Sequence, residues 1–441
     1  MHPRSLLCIV ASLACAVSGS AQDLTPRPAP PSGPVLITGG TVHPVSGPPI
    51  ENGVVMFDGD KIIRVSDAAW LAVALFGPDV VQIDATGKHI YPGLFASNTV
   101  LGLTEISSVG ATSDFAERGS FTPEVRANVA INPDSTLLPV TRLGGVLIAG
   151  LFPTGDRVSG QVSVIRLDGW TWEDMTIDPS AGMAISWPRA PRSRRGMDTG
   201  REDNPEEAIA AAMRELDAFF DAAEAYAQID PALERDERLE ALRPYVSGSE
   251  RRPLLIRADT TDQISSAVTW CAARGYRCII VGGRDAERCA ELLRKYDIPV
   301  ILTGVHRFPR RDDAAYDEAF NQPARLAALG IRFAIDTSDR DGNIRNLPNE
   351  AALARRHGLS DEATLRAITL TPAEIFGVDD RYGSLDEGKS ATLFIADGDI
   401  LEVTTKIERI FIEGRDIPLR SKQTELRDKY IEKYRQLDLI D

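Results

Sequence analysis

The feature that most constrains the fold is an alternation, through the middle of the chain, of short apolar runs and helical patterns. Strand-like runs include GGVLIAGLF, GQVSVIRLD, RPLLIRAD, YRCIIVGG, IPVILTG and IRFAIDTSD. Helical patterns follow several of them, as Thr261–Arg274 follows RPLLIRAD. Because a parallel pair of strands needs a long crossover, usually a helix, this alternation predicts an α/β fold with a parallel sheet wrapped by helices.

Two β-rich pieces flank this central region. Residues 35–90 contain short β-like runs separated by turns, with Asp58-Gly59-Asp60 as a hairpin signal, and a similar piece follows from residue 382. Either piece alone would leave strand edges exposed. We therefore expect the two to pair into one composite β domain.

The stretch YPGLFASNTVLGL, residues 91–103, reads as a buried strand that leaves a Pro-Gly turn and ends in polar side chains. A barrel strand delivers side chains to an active-site mouth in this way. The stretch resembles the first barrel strand of the amidohydrolase superfamily, imidazolonepropionase-like branch. The strings IDATGK and GSLDEGK in the two β-rich pieces are similar to that family as well.

The resemblance implies a (β/α)8 TIM-like barrel with a small composite β-sandwich domain built from N- and C-terminal strands. The predicted organisation is a signal peptide (1–21), a Pro-rich tether (22–34), the first part of the β domain (35–90), the barrel (91–380) with a helical insertion (204–246), the second part of the β domain (381–420) and a C-terminal helix (421–441).

The resemblance also implies a divalent metal, zinc or another, held by histidines of strands one, five and six and an aspartate of strand eight, which activates a water for attack on a carbonyl carbon. Without a gap, those positions hold Asn98 and Val100, then Arg257-Ala258-Asp259, then Gly282 and Gly283, then Ser338 with Asp339 beside it. Asp259, His306 and Asp336 offer a replacement ligand set. Arg257 argues against this set, since a permanent cation opposes a divalent ion, so no metal ligand is assigned and whether a metal is bound stays open.

Polar residues at predicted strand ends supply the candidate site. The catalytic candidates are Asp259, Asp339 and Arg257, and the ligand-binding candidates are Asn98, His306, Arg307 and Asn346. A cationic mouth favours an anionic ligand held through its carboxylate. The structural alternative is a network of salt bridges at the mouth, with His306 an ordinary loop histidine.

Three functions follow as hypotheses. The family implies a hydrolase of carbon–nitrogen bonds other than peptide bonds, acting on a small amide or cyclic amide with an atypical site. The alternative is a metal-free pseudoenzyme that binds a small anion or acts as a scaffold. The third is metal-free catalysis with Asp259 or Asp339 as general base and Arg257 as electrophile. Whether the protein is an enzyme stays open at this point.

The net charge and the N-terminal sequence indicate which partners the protein binds and where in the cell it is found. A net charge of -15 argues against nucleic acid and anionic lipid as partners. Arg4 precedes an apolar run that ends near Gly19-Ser20-Ala21, which predicts a signal peptide and a periplasmic or extracellular protein, with a lipidated Cys15 as the alternative. No later run approaches the length of a membrane span. A small-molecule ligand is expected, and a homo-oligomer stays open.

Three cysteines remain after the predicted signal peptide, at Cys271, Cys278 and Cys289. Their spacing matches no zinc signature. Three small buried hydrophobic residues are the favoured interpretation, with a Cys271–Cys278 bridge as the alternative.

Overall fold

The structure is a computed structural model that describes residues 23, 25–72, 77, 79–189, 204–229, 235–309, 312, 314–337 and 341–440. The predicted signal peptide and the candidate Asp339 lie outside these residues. The strands are β1 (Val35–Val42), β2 (Ile50–Asp58), β3 (Lys61–Asp67), β4 (Val81–Asp84), β5 (His89–Pro92), β6 (Leu94–Thr99), β7 (Val146–Leu151), β8 (Val158–Arg166), β9 (Thr176–Ser186), β10 (Leu254–Ala258), β11 (Cys278–Gly282), β12 (Val300–Thr303), β13 (Phe333–Asp336), β14 (Leu393–Ala396), β15 (Ile407–Ile412) and β16 (Arg415–Ile417).

Helices connect and cover these strands. They are α1 (Leu137–Arg142), α2 (Trp172–Met175), α3 (Pro205–Tyr226), α4 (Glu237–Val246), α5 (Thr261–Arg274), α6 (Ala290–Lys295), α7 (Glu318–Ala328), α8 (Leu347–Arg356), α9 (Asp361–Ala367), α10 (Leu370–Phe376) and α11 (Lys422–Gln436). In the part of the chain described here, no helix has both the length and the apolar character needed to cross a bilayer.

The central sheet has eight strands in the order β6 to β13, and β13 lies in contact with β6, so that the sheet is a nearly closed barrel. This confirms a mixed α/β fold consistent with the predicted TIM-like barrel. The strand order departs from a uniform (β/α)8 pattern at β8, which is antiparallel to both β7 and β9. The connections on either side of β8 are too short for the crossover that a parallel pair requires.

The barrel strands alternate between an inner and an outer core. Leu255, Ile279, Ile301 and Ala334 pack in one buried cluster, whereas their neighbours along each strand pack in the cluster that contains the surrounding helices. This alternation follows from the two-residue period of a β-strand. Arg257 is two residues beyond Leu255, which places it on the inner face toward the carboxyl end of β10.

The composite sheet joins the two ends of the chain. Strand β14 pairs antiparallel with β5, and β5 pairs in parallel with β1, giving the order β16-β15-β14-β5-β1-β2-β3 with β4 beside β1. The expected pairing of N- and C-terminal strands is therefore present, and the sandwich arrangement stays a prediction.

Three aromatic rings lie together in the composite sheet. The rings of His43 and Tyr91 are stacked with centroids 4.2 Å apart, and His43 Nε2 lies 2.9 Å from His89 Nδ1. Tyr91 is fully buried. Burial, and after it the neighbouring His89, lowers the pKa of His43 to about 4.

Helices α3 and α4 lie within the insertion of residues 204–246. Phe220 of α3 packs edge-on against Trp270 of α5, with ring centroids 5.0 Å apart. Trp270 Nε1 also donates a 2.7 Å hydrogen bond to Asp217 Oδ1. These contacts hold the insertion against the helical layer of the barrel.

Candidate ligand site at the barrel mouth

Arg257 and Asn98 meet at the carboxyl end of the barrel strands. Arg257 Nη2 donates a hydrogen bond of 3.1 Å to Asn98 Oδ1. The guanidinium carbon of Arg257 also lies 5.5 Å from the ring centroid of Phe152, within the range of a cation–π contact. The cation is half-buried, while Asn98 and Phe152 are buried. Two of the sequence candidates are therefore brought into direct contact.

An irregularity in β6 accounts for the direction of Asn98. The pairing of β6 with β7 shifts register between Ala96 and Thr99. A bulge of this kind re-aims a side chain and is common near functional sites. Here it accompanies the turn of the Asn98 amide toward β10, while Thr99 Oγ1 donates to the Gly150 carbonyl at 3.0 Å.

Asp259 follows β10 and lies against the next strand. Its Oδ1 is 3.6 Å from Arg284 Nε, and both side chains are about one-third exposed. Gly282 leaves room for this carboxylate, since a Cβ at that position would be 2.6 Å from Asp259 Oδ1. Glycine at position 282 is thus required by the close approach of a side chain.

Arg307 joins the mouth indirectly. Its Nη2 donates to Gln322 Oε1 at 2.7 Å, and Gln322 Nε2 donates to the carbonyls of Gly283 and Arg284 at 2.9 Å each. The buried Gln322 amide thus connects Arg307 to the loop that carries Arg284, the ion-pair partner of Asp259. This polar network spans three consecutive strand ends.

His306 lies on the outside of this network. Its side chain is exposed, and its ring centroid is 6.1 Å from that of Phe320. The backbone N–H groups of Val305 and His306 both donate to Glu350 Oε2, at 2.6 and 2.7 Å. Among the contacts of the described residues, none joins the His306 ring to Arg257, Asn98 or Asp259.

Asn346 lines a different space. It borders a surface cavity of about 420 Å³ whose other walls include Val140, Ile400 and Arg427. None of the residues around Arg257 borders this cavity. The structure therefore separates Asn346 from the other candidates, and Asp339 lies outside the described residues.

The residues at the mouth do not fit the divalent metal that the resemblance implies. Asn98 accepts a hydrogen bond from a guanidinium, Val100 is apolar, and Gly282 leaves no space for a larger side chain. Within the described ranges, no three or more His, Cys, Asp or Glu side chains are grouped so that they would hold a metal ion. The polar groups described at the mouth are instead a guanidinium held by an amide and an ion pair between Asp259 and Arg284.

Two residues of the site were not selected from the sequence. Phe152 is the last residue of the predicted strand GGVLIAGLF, and an apolar side chain at such a position is typical of a core residue. Gln322 lies inside helix α7, and its position gives no sequence signal that it reaches the β11 loop.

Part of the chain is similar to a known protein family. Residues 233–416 match the amidohydrolase family. No curated protein matches the chain. Among solved structures, an amidohydrolase from Thermotoga maritima superposes with a TM-score of 0.75 at 24% identity, covering 88% of this chain and all of that one.

Two further structures share the fold at lower similarity. Molinate hydrolase gives a TM-score of 0.53 at 17% identity over 90% of this chain and 96% of that one. An adenosine deaminase from Xanthomonas campestris with bound zinc gives 0.51 at 16% identity over 94% of this chain and all of that one. These identities support a shared fold. Residues 233–416 are therefore similar to the amidohydrolase family, and the chain shares its fold with the amidohydrolase from Thermotoga maritima.

Proposed function

We propose that the barrel mouth binds a small carboxylate-bearing molecule, with Arg257 as the anchoring cation. The observation that carries this proposal is the position of Arg257, fixed between the Asn98 amide and the Phe152 ring on the inner face of the barrel. A guanidinium recognises a carboxylate bidentately, and it does so best where the arginine side chain is already held in place. The amidohydrolase-like fold supplies the concave mouth in which barrel ligands bind.

Phe152 and Asn98 both lie against the guanidinium of Arg257. The Phe152 ring is fully buried, so it holds the cation in place and presents no surface to a ligand. Benzoate serves as the probe for a small carboxylate. The uncharged amide benzamide has the same shape and lacks the charge.

Hydrolysis of a carbon–nitrogen bond is the second candidate function, and the family match supports it. In this proposal Asp259 accepts a proton from a water whose oxygen attacks the amide carbon, and the carbonyl oxygen gains negative charge beside Arg257. The carbon–nitrogen bond then breaks, and the amine leaves with the proton from Asp259. Asp339 stays the alternative base on the sequence argument.

Titration calorimetry with benzoate and benzamide tests the binding proposal. We expect benzoate to bind more tightly than benzamide, and the Arg257→Met variant to lose at least about tenfold in benzoate affinity. Arg277→Met is the matched control, because Arg277 is an exposed arginine between α5 and β11. Equal affinity for the two probes, or unchanged binding by Arg257→Met, would overturn the proposal.

The hydrolysis candidate has a separate test. A panel of lactams, hydantoins and dipeptides is assayed for release of the amine, with wild-type protein and Asp259→Asn. We expect turnover to be lost in the variant while its circular dichroism stays that of the wild type. Unchanged rates in Asp259→Asn would remove Asp259 as the base.

A further inference from the structure

Four charged side chains form a buried cluster far from the mouth. Asp23, Arg27, Arg142 and Asp168 have side chains that are 9%, 6%, 4% and 4% exposed. Arg27 Nη1 lies 3.5 Å from Asp23 Oδ2 and 3.6 Å from Asp168 Oδ1. Arg142 makes the equivalent pair of contacts, at 3.6 Å to Asp23 and 3.4 Å to Asp168. The two cations and two anions thus alternate around a neutral cluster.

Hydrogen bonds to the backbone complete the cluster. Arg27 donates to the carbonyls of Gly169 at 2.9 Å and Pro133 at 2.7 Å. The backbone N–H of Asp23 donates to the Asp134 carbonyl at 2.6 Å. Arg142 donates to the Leu167 carbonyl at 2.7 Å. Two barrel segments, one with Pro133 and Asp134 and one with Gly169, are therefore tied to the same short N-terminal piece.

The cluster lies at the amino end of the barrel. Arg142 ends α1, shortly before β7 begins, and Asp168 follows β8, which runs antiparallel to β7. The start of β7 and the end of β8 are therefore on one side of the barrel. Strands β6 and β10 run in the same direction as β7. Asn98 and Arg257 lie near the carboxyl ends of these two strands, so the mouth is on the opposite side of the barrel from the cluster.

We infer that Asp23 and Arg27 form a strap, in which the start of the described chain is locked onto the amino end of the barrel and holds α1 to the end of β8. The physical reason is that burying a charged side chain costs free energy, and this cost is offset only when an opposite charge and hydrogen-bond partners are present. Burial raises the pKa of the Asp168 carboxyl, and Arg142 acts in the opposite direction, which agrees with a dry cluster. The Pro-rich segment that follows Arg27 therefore begins at a fixed position on the barrel.

Limited proteolysis and thermal unfolding of the full chain test the strap. In Arg27→Met we expect proteinase K to remove the N-terminal segment at least about tenfold faster than in the wild type, as read by mass spectrometry. We also expect the midpoint of unfolding to fall by about 5 °C, because the four groups that pair with or accept from Arg27 are left without it. Arg27→Lys keeps the charge with fewer donors and should fall between the two.

The matched control is Arg420→Met, because the Arg420–Glu425 pair is 61% and 54% exposed and exposed pairs contribute little. A double substitution of Arg27→Met with Asp168→Asn should lower the midpoint of unfolding by less than the sum of the two single changes.

The strap is overturned if the wild-type segment is cleaved as fast as that of Arg27→Met, or if Arg27→Met unfolds at the temperature of the control. Benzoate affinity should be the same in all strap variants, so failure of the mouth proposal and failure of the strap are distinguishable.

Discussion

Arg257 Nη2 and Asn98 Oδ1 are 3.1 Å apart although the two residues are 159 positions apart in the sequence. The hydrogen bond crosses the interior of the barrel from β10 to the end of β6. It fixes a cation toward the carboxyl end of the barrel strands.

Asn98 is expected to act on the ligand through Arg257. Asn98→Leu keeps the size of the side chain and removes the acceptor, so the guanidinium loses its fixed orientation. We expect benzoate affinity to fall by about tenfold. Calorimetry on both single variants and on the Asn98→Leu/Arg257→Met pair measures this. If Asn98→Leu still weakens binding when Arg257 is already absent, its effect does not pass through Arg257.

Gly282→Ala should destabilise the protein through contact with Asp259. The added Cβ would lie 2.6 Å from Asp259 Oδ1, and Gly282 has a φ of +106°. We expect a loss of about 2 kcal/mol in the free energy of unfolding, measured in urea. Gly377→Ala is the control, since Gly377 has a φ of +69° with nothing near its Cβ position. Equal losses in the two variants would mean that backbone conformation alone explains the glycine.

Glu350 is expected to hold the β12–α7 loop in place. Its buried carboxylate accepts the backbone N–H groups of Val305 and His306. Glu350→Ala leaves both donors without that partner and should cost about 3 kcal/mol. Glu350→Gln keeps one oxygen acceptor and should cost less. Hydrogen exchange at the Val305 and His306 amides reports the effect directly, and unchanged protection in Glu350→Ala would contradict it.

Acid should destabilise the composite sheet through His43. Its pKa is about 4 in the folded protein, below the ordinary value near 6.5. The unfolded chain therefore binds more protons between these values, so that the stabilising contribution is complete above pH 6.5 and is lost as the pH falls toward 4. Between pH 7 and pH 5 the loss is about 2 kcal/mol.

Unfolding midpoints measured from pH 7 to pH 5 check this contribution. His43→Gln should flatten the pH dependence, whereas the exposed His306→Gln should leave it as in the wild type. The same slope in His43→Gln and wild type would assign the pH dependence to another group.

Elemental analysis of the purified chain, before and after zinc, manganese and iron are added, tests the fit of the mouth to a metal. We expect less than about one tightly held ion per chain, because a fixed guanidinium opposes a divalent ion at close range. One or more ions retained per chain would mean that a ligand set has been rebuilt, with Asp336 and Asp339 as the first positions to substitute.

The elements that the sequence predicts correctly have signals within their own few residues, such as helix caps. Helix α5 has the predicted bounds, since Thr260 and Gln263 form a capping box at its start and Gly275 adopts a φ of +69° at its end. Strand β9 was not predicted, because Asp178, Pro179 and Gly182 interrupt its apolar pattern. Its hydrogen bonds to β8 and β10 stabilise it as a strand, and the local sequence does not indicate that pairing.

In the candidate site, too, the sequence predicts some positions, and others depend on tertiary contacts. Strand ends indicated that Asn98, Arg257 and Asp259 lie toward one edge of the barrel, since the carboxyl ends of parallel strands meet there. The contact between Asn98 and Arg257 depends on a register shift in β6. The outward position of His306 depends on where α7 places Phe320. Both are tertiary outcomes that spacing along the chain does not encode.

The buried cluster of Asp23 and Arg27 has a geometric consequence for work on this protein. Because the chain is fastened at the amino end of the barrel, whatever is attached upstream of Asp23 is held on the side away from Arg257. A protein immobilised on a sensor chip through an N-terminal tag should therefore present its mouth to the flowing solution, with the ligand path unobstructed by the support.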